Sequence, residues 1–142
     1  MQQQTAKDSS SNVVSGPGPG TLQVTAQITN NLTTQLTLSS SMLNQGQWDQ
    51  YARPPAAIEA GKTATIIALA PPLLAEGVVG QLFYNAGGAG MPILFQFQVP
   101  SRKAYPNGVS IGQLGPNIFN TNVTSVDPNA PQISPIYTVS PK

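Results

Sequence analysis

The sequence predicts an all-β protein, a sandwich or a barrel, and three observations carry that reading. Apolar residues between about Leu22 and Val99 recur with a period of two, which lines them along one face of a strand. Gly, Pro and Asn break the chain at intervals of about 8–12 residues, the rhythm of short strands joined by turns. No segment carries a helical stripe with caps at its ends.

Residues 1–20 consist mainly of Gln, Ser, Asn, Gly and Pro and end in Gly16-Pro17-Gly18-Pro19-Gly20. Such a segment buries too little apolar surface to offset its ordering entropy, so it reads as an N-terminal arm. The folded domain is expected over residues 21–142. Leu22, Val24, Ala26 and Ile28 alternate with Thr21, Gln23, Thr25 and Gln27, a half-buried strand. Asn30-Asn31 tolerates left-handed turn geometry, and Leu32, Leu36 and Leu38 continue the pattern beyond it. A polar segment from Ser39 to Gln50 contains Trp48 and precedes Tyr51. Arg53-Pro54-Pro55 then forces extended backbone. After the Ala60-Gly61 turn, Thr63, Thr65, Ile66, Ile67 and Leu69 favour a strand over Lys62–Ala70.

Pro71-Pro72 ends that strand. Leu73, Leu74, Val78 and Val79 follow, punctuated by Gly77 and Gly80. Gln81-Leu82-Phe83-Tyr84 reads as another strand, turned by Asn85-Ala86-Gly87-Gly88-Ala89-Gly90. Ile93, Phe95, Phe97 and Val99 alternate with Leu94, Gln96 and Gln98, the cleanest strand in the chain, and both Phe rings are expected in the core. Asn117–Val126 and Gln132–Val139 are weaker strand candidates in a Pro- and Asn-rich tail over residues 112–142.

Composition narrows the function. The 142 residues suit one domain, and only 8% are charged, six basic against five acidic, for a net charge of +1. Nucleic-acid binding by counterion displacement needs far more Lys and Arg. The chain has no Cys and no His, which removes disulfides, thiolate metal sites, cysteine nucleophiles and the commonest general base. The acids Asp8, Asp49, Glu59, Glu76 and Asp127 are scattered, without the pairing a glycosidase requires. Gly87-Gly88-Ala89-Gly90 lacks the Lys-Ser/Thr of a phosphate cradle. The expectation is a non-enzymatic module with no cofactor and no metal. No run of about 18 apolar residues exists for a membrane-spanning helix. The first residues lack the apolar run of a secretory signal, so synthesis in the cytoplasm and later release are expected. The sequons Asn31-Leu32-Thr33 and Asn122-Val123-Thr124 are accordingly read as chance matches.

Trp48 is the lone Trp, within Gly46-Gln47-Trp48-Asp49-Gln50-Tyr51. It is either a core or loop anchor or an amphipathic aromatic at a recognition surface. Trp and Tyr suit lipid headgroup boundaries because the ring is apolar while its N–H or O–H stays wet. Tyr51 lies beside it in sequence, and Tyr84, Tyr105 and Tyr137 could serve similarly. Arg102-Lys103 is the one basic doublet and reads as a solvated pair.

The order of several motifs resembles the aegerolysin family and its insecticidal relatives, the small components of two-protein bacterial toxins. The motifs are Ile28-Thr29-Asn30, Leu36-Thr37-Leu38, Gly46-Gln47-Trp48, Pro54-Pro55-Ala56-Ala57-Ile58, Ala60-Gly61-Lys62-Thr63 and Gly77-Val78-Val79-Gly80-Gln81-Leu82-Phe83-Tyr84, followed by the strand ending at Val99-Pro100. The resemblance covers about residues 21–111. It implies a single antiparallel β-sandwich, similar in fold to actinoporins, that binds membrane lipid and forms pores with itself or with a larger, often perforin-like, partner. Trp48, Tyr51 and Tyr84 stand in matching motif context and are the candidate lipid-binding residues. The chain departs from the family in having one Trp and little charge, and residues 112–142 align with nothing. The implied role is one component of a cytolytic or insecticidal toxin acting at target membranes. Insertion falls to the partner, because Ile93–Val99 belongs to a core.

Composition also admits a structural reading, a self-assembling subunit of a fibre, appendage or phage particle. Low charge, abundant Gln, Asn and Thr, and Gly- and Pro-rich arms suit strand exchange between subunits. Val13-Val14 could add to a neighbour's edge strand, giving a homo-oligomer through the N-terminal arm and assembly outside the cell.

Overall fold

The computed structural model describes residues 21–71, 76–87, 92–101 and 105–142. The expectations for the arm over 1–20, for Leu73-Leu74, for the turn at Gly88-Ala89-Gly90 and for Arg102-Lys103 lie outside the described residues. Every regular element among those described is a strand. In chain order they are β1 (Leu22–Asn30), β2 (Leu36–Gln45), β3 (Gln47–Trp48), β4 (Ala57–Ile58), β5 (Thr63–Ala70) and β6 (Val78–Ala86), then β7 (Pro92–Val99), β8 (Gly108–Gln113), β9 (Phe119–Val123), β10 (Gln132–Ile133) and β11 (Ile136–Pro141).

The strands form two sheets, β3-β5-β1-β11-β9 with β10 also beside β1, and β4-β2-β6-β7-β8. Their apolar faces meet in one core. The all-β sandwich is as expected. Pairing is antiparallel except along one side of β1, where β10 and then β11 run parallel to it. Pro135 lies in the break between those two short strands, and Pro131 stands just before the first. Proline lacks a backbone N–H, so it interrupts a ladder, yet its carbonyl still accepts. Gln23 donates to Pro131 O and Gln27 to Pro135 O, each at 3.0 Å.

Period two decides which side chains are buried. Val24, Ala26 and Ile28 of β1 face Ile93, Phe95, Phe97 and Val99 of β7 across the core, all within it. Phe95 stands at its centre, edge-to-face with Tyr84 at 5.9 Å and with Tyr137 at 5.4 Å. The two Phe rings therefore occupy the face the sequence predicts. Asn30 ends β1 fully buried, and its side chain works in place of a left-handed turn. Its Nδ2 donates to Thr34 O and Ile58 O at 2.9 Å, and its Oδ1 accepts from Leu32 N at 3.0 Å.

Two strands differ from expectation. The polar segment from Ser39, to which the sequence assigns no element, begins as strand: β2 continues to Gln45, paired with β6, with bulges between Leu38 and Ser40 and between Leu43 and Gln45. Ser39 to Met42 are all exposed, so this stretch of the strand is held by main-chain hydrogen bonds and leaves no apolar signature, while Leu36, Leu38 and Leu43 on either side of it reach the core. Strand β8 was hidden by Gly108 and Gly112, which lower strand propensity; only Val109 and Ile111 face inward. The tail over 112–142 is integral, since β9 and β11 complete one sheet.

Candidate functional site

The three sequence candidates part company. Tyr84 is a core residue, not a surface one: it is fully buried, and its hydroxyl donates to Pro55 O at 2.7 Å. Burial pushes that phenol above the ordinary tyrosine value. Its alternation with Val78, Leu82 and Ala86 is the signal that places it inward. Tyr137 is buried in the same way. Trp48 is half-buried, paired with Ala68 and packed edge-to-face on Phe97 at 6.2 Å, so it closes one rim of the core. Tyr51 is 74% exposed, on the turn where Asp49 Oδ2 accepts from its backbone N–H at 3.1 Å. The structure brings Trp48 and Tyr51 to one sandwich edge and leaves Tyr84 inside.

A second surface was not foreseen. On the outer face of β6, β7 and β8, two shallow depressions of about 370 and 320 Å³ share Val79 and Gln98 and open as one trough. Two cross-strand rows floor it. Gln81 lies opposite Gln96 and Gln96 opposite Ser110; beside them, Val79 lies opposite Gln98 and Gln98 opposite Gly108. The first row is a relay: Ser110 Oγ donates to Gln96 Oε1 at 3.0 Å, and Gln96 Nε2 donates to Gln81 Oε1 at 3.3 Å. Gln98 Nε2 donates to Pro106 O at 3.3 Å. Gly108 keeps the floor low, since a Cβ there would sit 3.7 Å from Gln98 Nε2. Tyr105, 61% exposed, stands at the rim. No charged side chain lines the trough among the described residues.

The trough end is built tightly. Gly46 N donates to Glu76 Oε1 at 2.6 Å, and Gly77 N donates to Gln45 Oε1 at 3.0 Å, a reciprocal clasp between the end of β2 and the start of β6. A Cβ at Gly77 would overlap the Val99 carbonyl, so only glycine fits there. One strand length away, about 20 Å, the opposite end presents Leu114 and Ile118, 43% and 46% exposed. Gln113 fixes that loop: its amide donates to Asn117 Oδ1 and Phe119 O and accepts from the N–H groups of Ile118 and Phe119. Among the described residues no three His, Cys, Asp or Glu side chains converge as a metal site would need.

Solved structures share this architecture. The lipid-binding protein Nakanori superposes with a TM-score of 0.76 at 13% identity, over 87% of this chain and 72% of that one. RahU, solved in complex with TRIS, matches with a TM-score of 0.69 at 12% identity over 86% and 95% of the two chains. IP-1A from Alcaligenes faecalis matches at 0.67 and 13% over 85% and 91%. Neither a family model nor a curated protein sequence matches the chain. The motif residues behind the aegerolysin resemblance sit at joints of this fold. Gly46 and Gly61 take positive φ (94° and 76°), Pro55 receives the Tyr84 hydroxyl, and Ile58 is buried beside Leu36.

Proposed function

We propose that the chain is an aegerolysin-like protein that binds membrane lipid and acts as one component of a pore-forming toxin. The likeness to Nakanori over 87% of the chain is the observation that carries lipid binding. The surface chemistry agrees with it. Exposed Tyr105 at the trough rim, and an exposed Tyr51 on the neighbouring edge, suit a bilayer interface, where tyrosine settles at headgroup depth. The most apolar strand, β7, is committed to the core, so crossing the bilayer falls to an assembly with itself or with a larger protein. Leu114 and Ile118, on their fixed loop away from the trough, are the surface such a partner would meet. The chain works outside its cell of origin, after release.

Co-sedimentation with phosphatidylcholine–cholesterol vesicles tests the first step. Pelleting with vesicles, with a blue shift of Trp48 emission at the core rim, is the expected result. A chain that stays in the supernatant with every vesicle composition overturns it.

A further inference from the structure

We infer that β9 is an assembly edge, at which the chain pairs antiparallel with β9 of a second copy about a twofold axis at Asn122. This concerns the chain in solution and stands apart from the lipid-binding reading. The alternation of main-chain hydrogen bonds decides which groups of β9 face outward. Asn31 N donates to Val139 O, which turns Tyr137 and Val139 of β11 toward β1 and leaves Ile136, Thr138 and Ser140 for β9. Thr124 N accordingly donates to Ile136 O at 3.0 Å. Asn120 and Asn122 are thus engaged with β11, and the N–H and C=O groups of Phe119, Thr121 and Val123 point away from the sheet. Gln113 meets those of Phe119, accepting from its N–H at 3.0 Å and donating to its carbonyl at 2.9 Å. Among the described residues nothing meets those of Thr121 and Val123.

The occupant is a second copy for two reasons. On β8, the edge of the other sheet, Leu114 N donates to Pro92 O, and the same alternation leaves the groups of Val109 and Ile111 pointing outward. Gln113 ties β8 to β9, so both open edges lie on one side of the sandwich. A lone extended peptide covers one such edge, whereas a second sandwich, turned about an axis perpendicular to the sheets, brings its own two edges against both. The second reason is that β9 matches itself. Its five residues carry no charge, no proline and no bulge, the devices that keep edges apart. With Phe119 engaged, Thr121 pairs with Val123 of the second copy and Val123 with its Thr121, two hydrogen bonds in each pair. Asn122 then faces Asn122, both exposed, and each amide can donate and accept. Ile118, 46% exposed, directly precedes β9, so the edge adjoins the loop assigned above to assembly.

The test uses the full chain in solution, without lipid. Sedimentation velocity should show a monomer–dimer equilibrium that shifts with concentration. Thr121→Pro removes an N–H that the folded monomer does not use, so it should raise the dimer dissociation constant at least tenfold while unfolding near the parent's midpoint. The chain has no Cys, so one introduced thiol is unambiguous. Oxidised with diamide, Asn122→Cys should form a covalent dimer at least tenfold faster than Asn120→Cys, because the twofold sets position 120 opposite Thr124 and not opposite its own counterpart. A parent that stays monomeric, a dimer unmoved by Thr121→Pro, or equal cross-linking by the two Cys variants overturns the inference. So does slow hydrogen exchange at the Thr121 and Val123 amides of the dilute, monomeric chain, since the chain would then cover its own edge. Vesicle binding is not read, so either outcome leaves lipid binding standing.

Discussion

Tyr137 donates its hydroxyl hydrogen to the backbone carbonyl of Gln96 at 2.6 Å, tying the last strand of one sheet to the strand beneath the trough in the other. Tyr137→Phe keeps the ring on Phe95 and removes only that tether. Loss of one buried hydrogen bond costs about 1–1.5 kcal/mol. Urea unfolding of the variant should show a lower midpoint with an unchanged slope. A midpoint equal to the parent's would mean the tether contributes nothing.

Phe97→Ala should be far more damaging, by about 3–5 kcal/mol, because it opens a cavity in the core. It also strips Trp48 of its edge-to-face partner. Emission from Trp48 should therefore move to longer wavelength in the folded variant. Gln98→Ala, one residue along on the outer face, is the control and should do neither.

The buried phenols predict an alkaline limit. In the folded state burial raises the pKa of Tyr84 and Tyr137 above 10.0, their ordinary value, which the unfolded chain regains. The folded state then holds protons that the unfolded state releases. Their contribution is complete below about pH 10 and falls as pH rises above it. Stability measured in urea from pH 8 to 11.5 should be level at first and then decline, and the decline should lessen in the Tyr84→Phe, Tyr137→Phe double variant once its lower baseline is subtracted.

Tyr51 and Tyr84 make a paired test of surface against core. Tyr51→Ala should leave the unfolding midpoint within about 0.5 kcal/mol of the parent and weaken vesicle association. Tyr84→Ala should cost about 3–5 kcal/mol, the usual range for a large aromatic lost from a core. Vesicle association unchanged by Tyr51→Ala would remove Tyr51 from the docking surface.

Leu114→Ser with Ile118→Ser should separate docking from assembly. The double variant should still pellet with vesicles but fail to form the oligomers that chemical cross-linking detects for the parent on the same vesicles. Parent-like cross-linking would place assembly elsewhere.

Strands β1 and β7 were legible because each buries one face and leaves the other more open, so alternation survives in the sequence, whereas β5, buried on both faces at its end, was legible from its β-branched residues. Tyr84 was legible too, by parity with Leu82, but the motif around it invited a surface role. The trough was not. Gln81, Gln96, Gln98 and Ser110 each read as an outward polar residue. What makes them a site is register, Gln81 opposite Gln96 and Gln96 opposite Ser110. Register between strands depends on turn length and on bulges such as those in β2, neither of which composition encodes.

Strand β1 waits for strands made long after it. As the ribosome releases β1, only one of its sides finds a partner early, in β5; the other is reserved for β10 and β11, with Gln27 opposite Ile136. Until Ile136 and its neighbours emerge, that side offers open N–H and C=O groups to any passing strand. Closure across such a sequence separation is slow. A nascent chain, or one clipped before Ile136, is then the species most prone to aggregate, and losing those last few residues would undo a sheet where a tail might be expected.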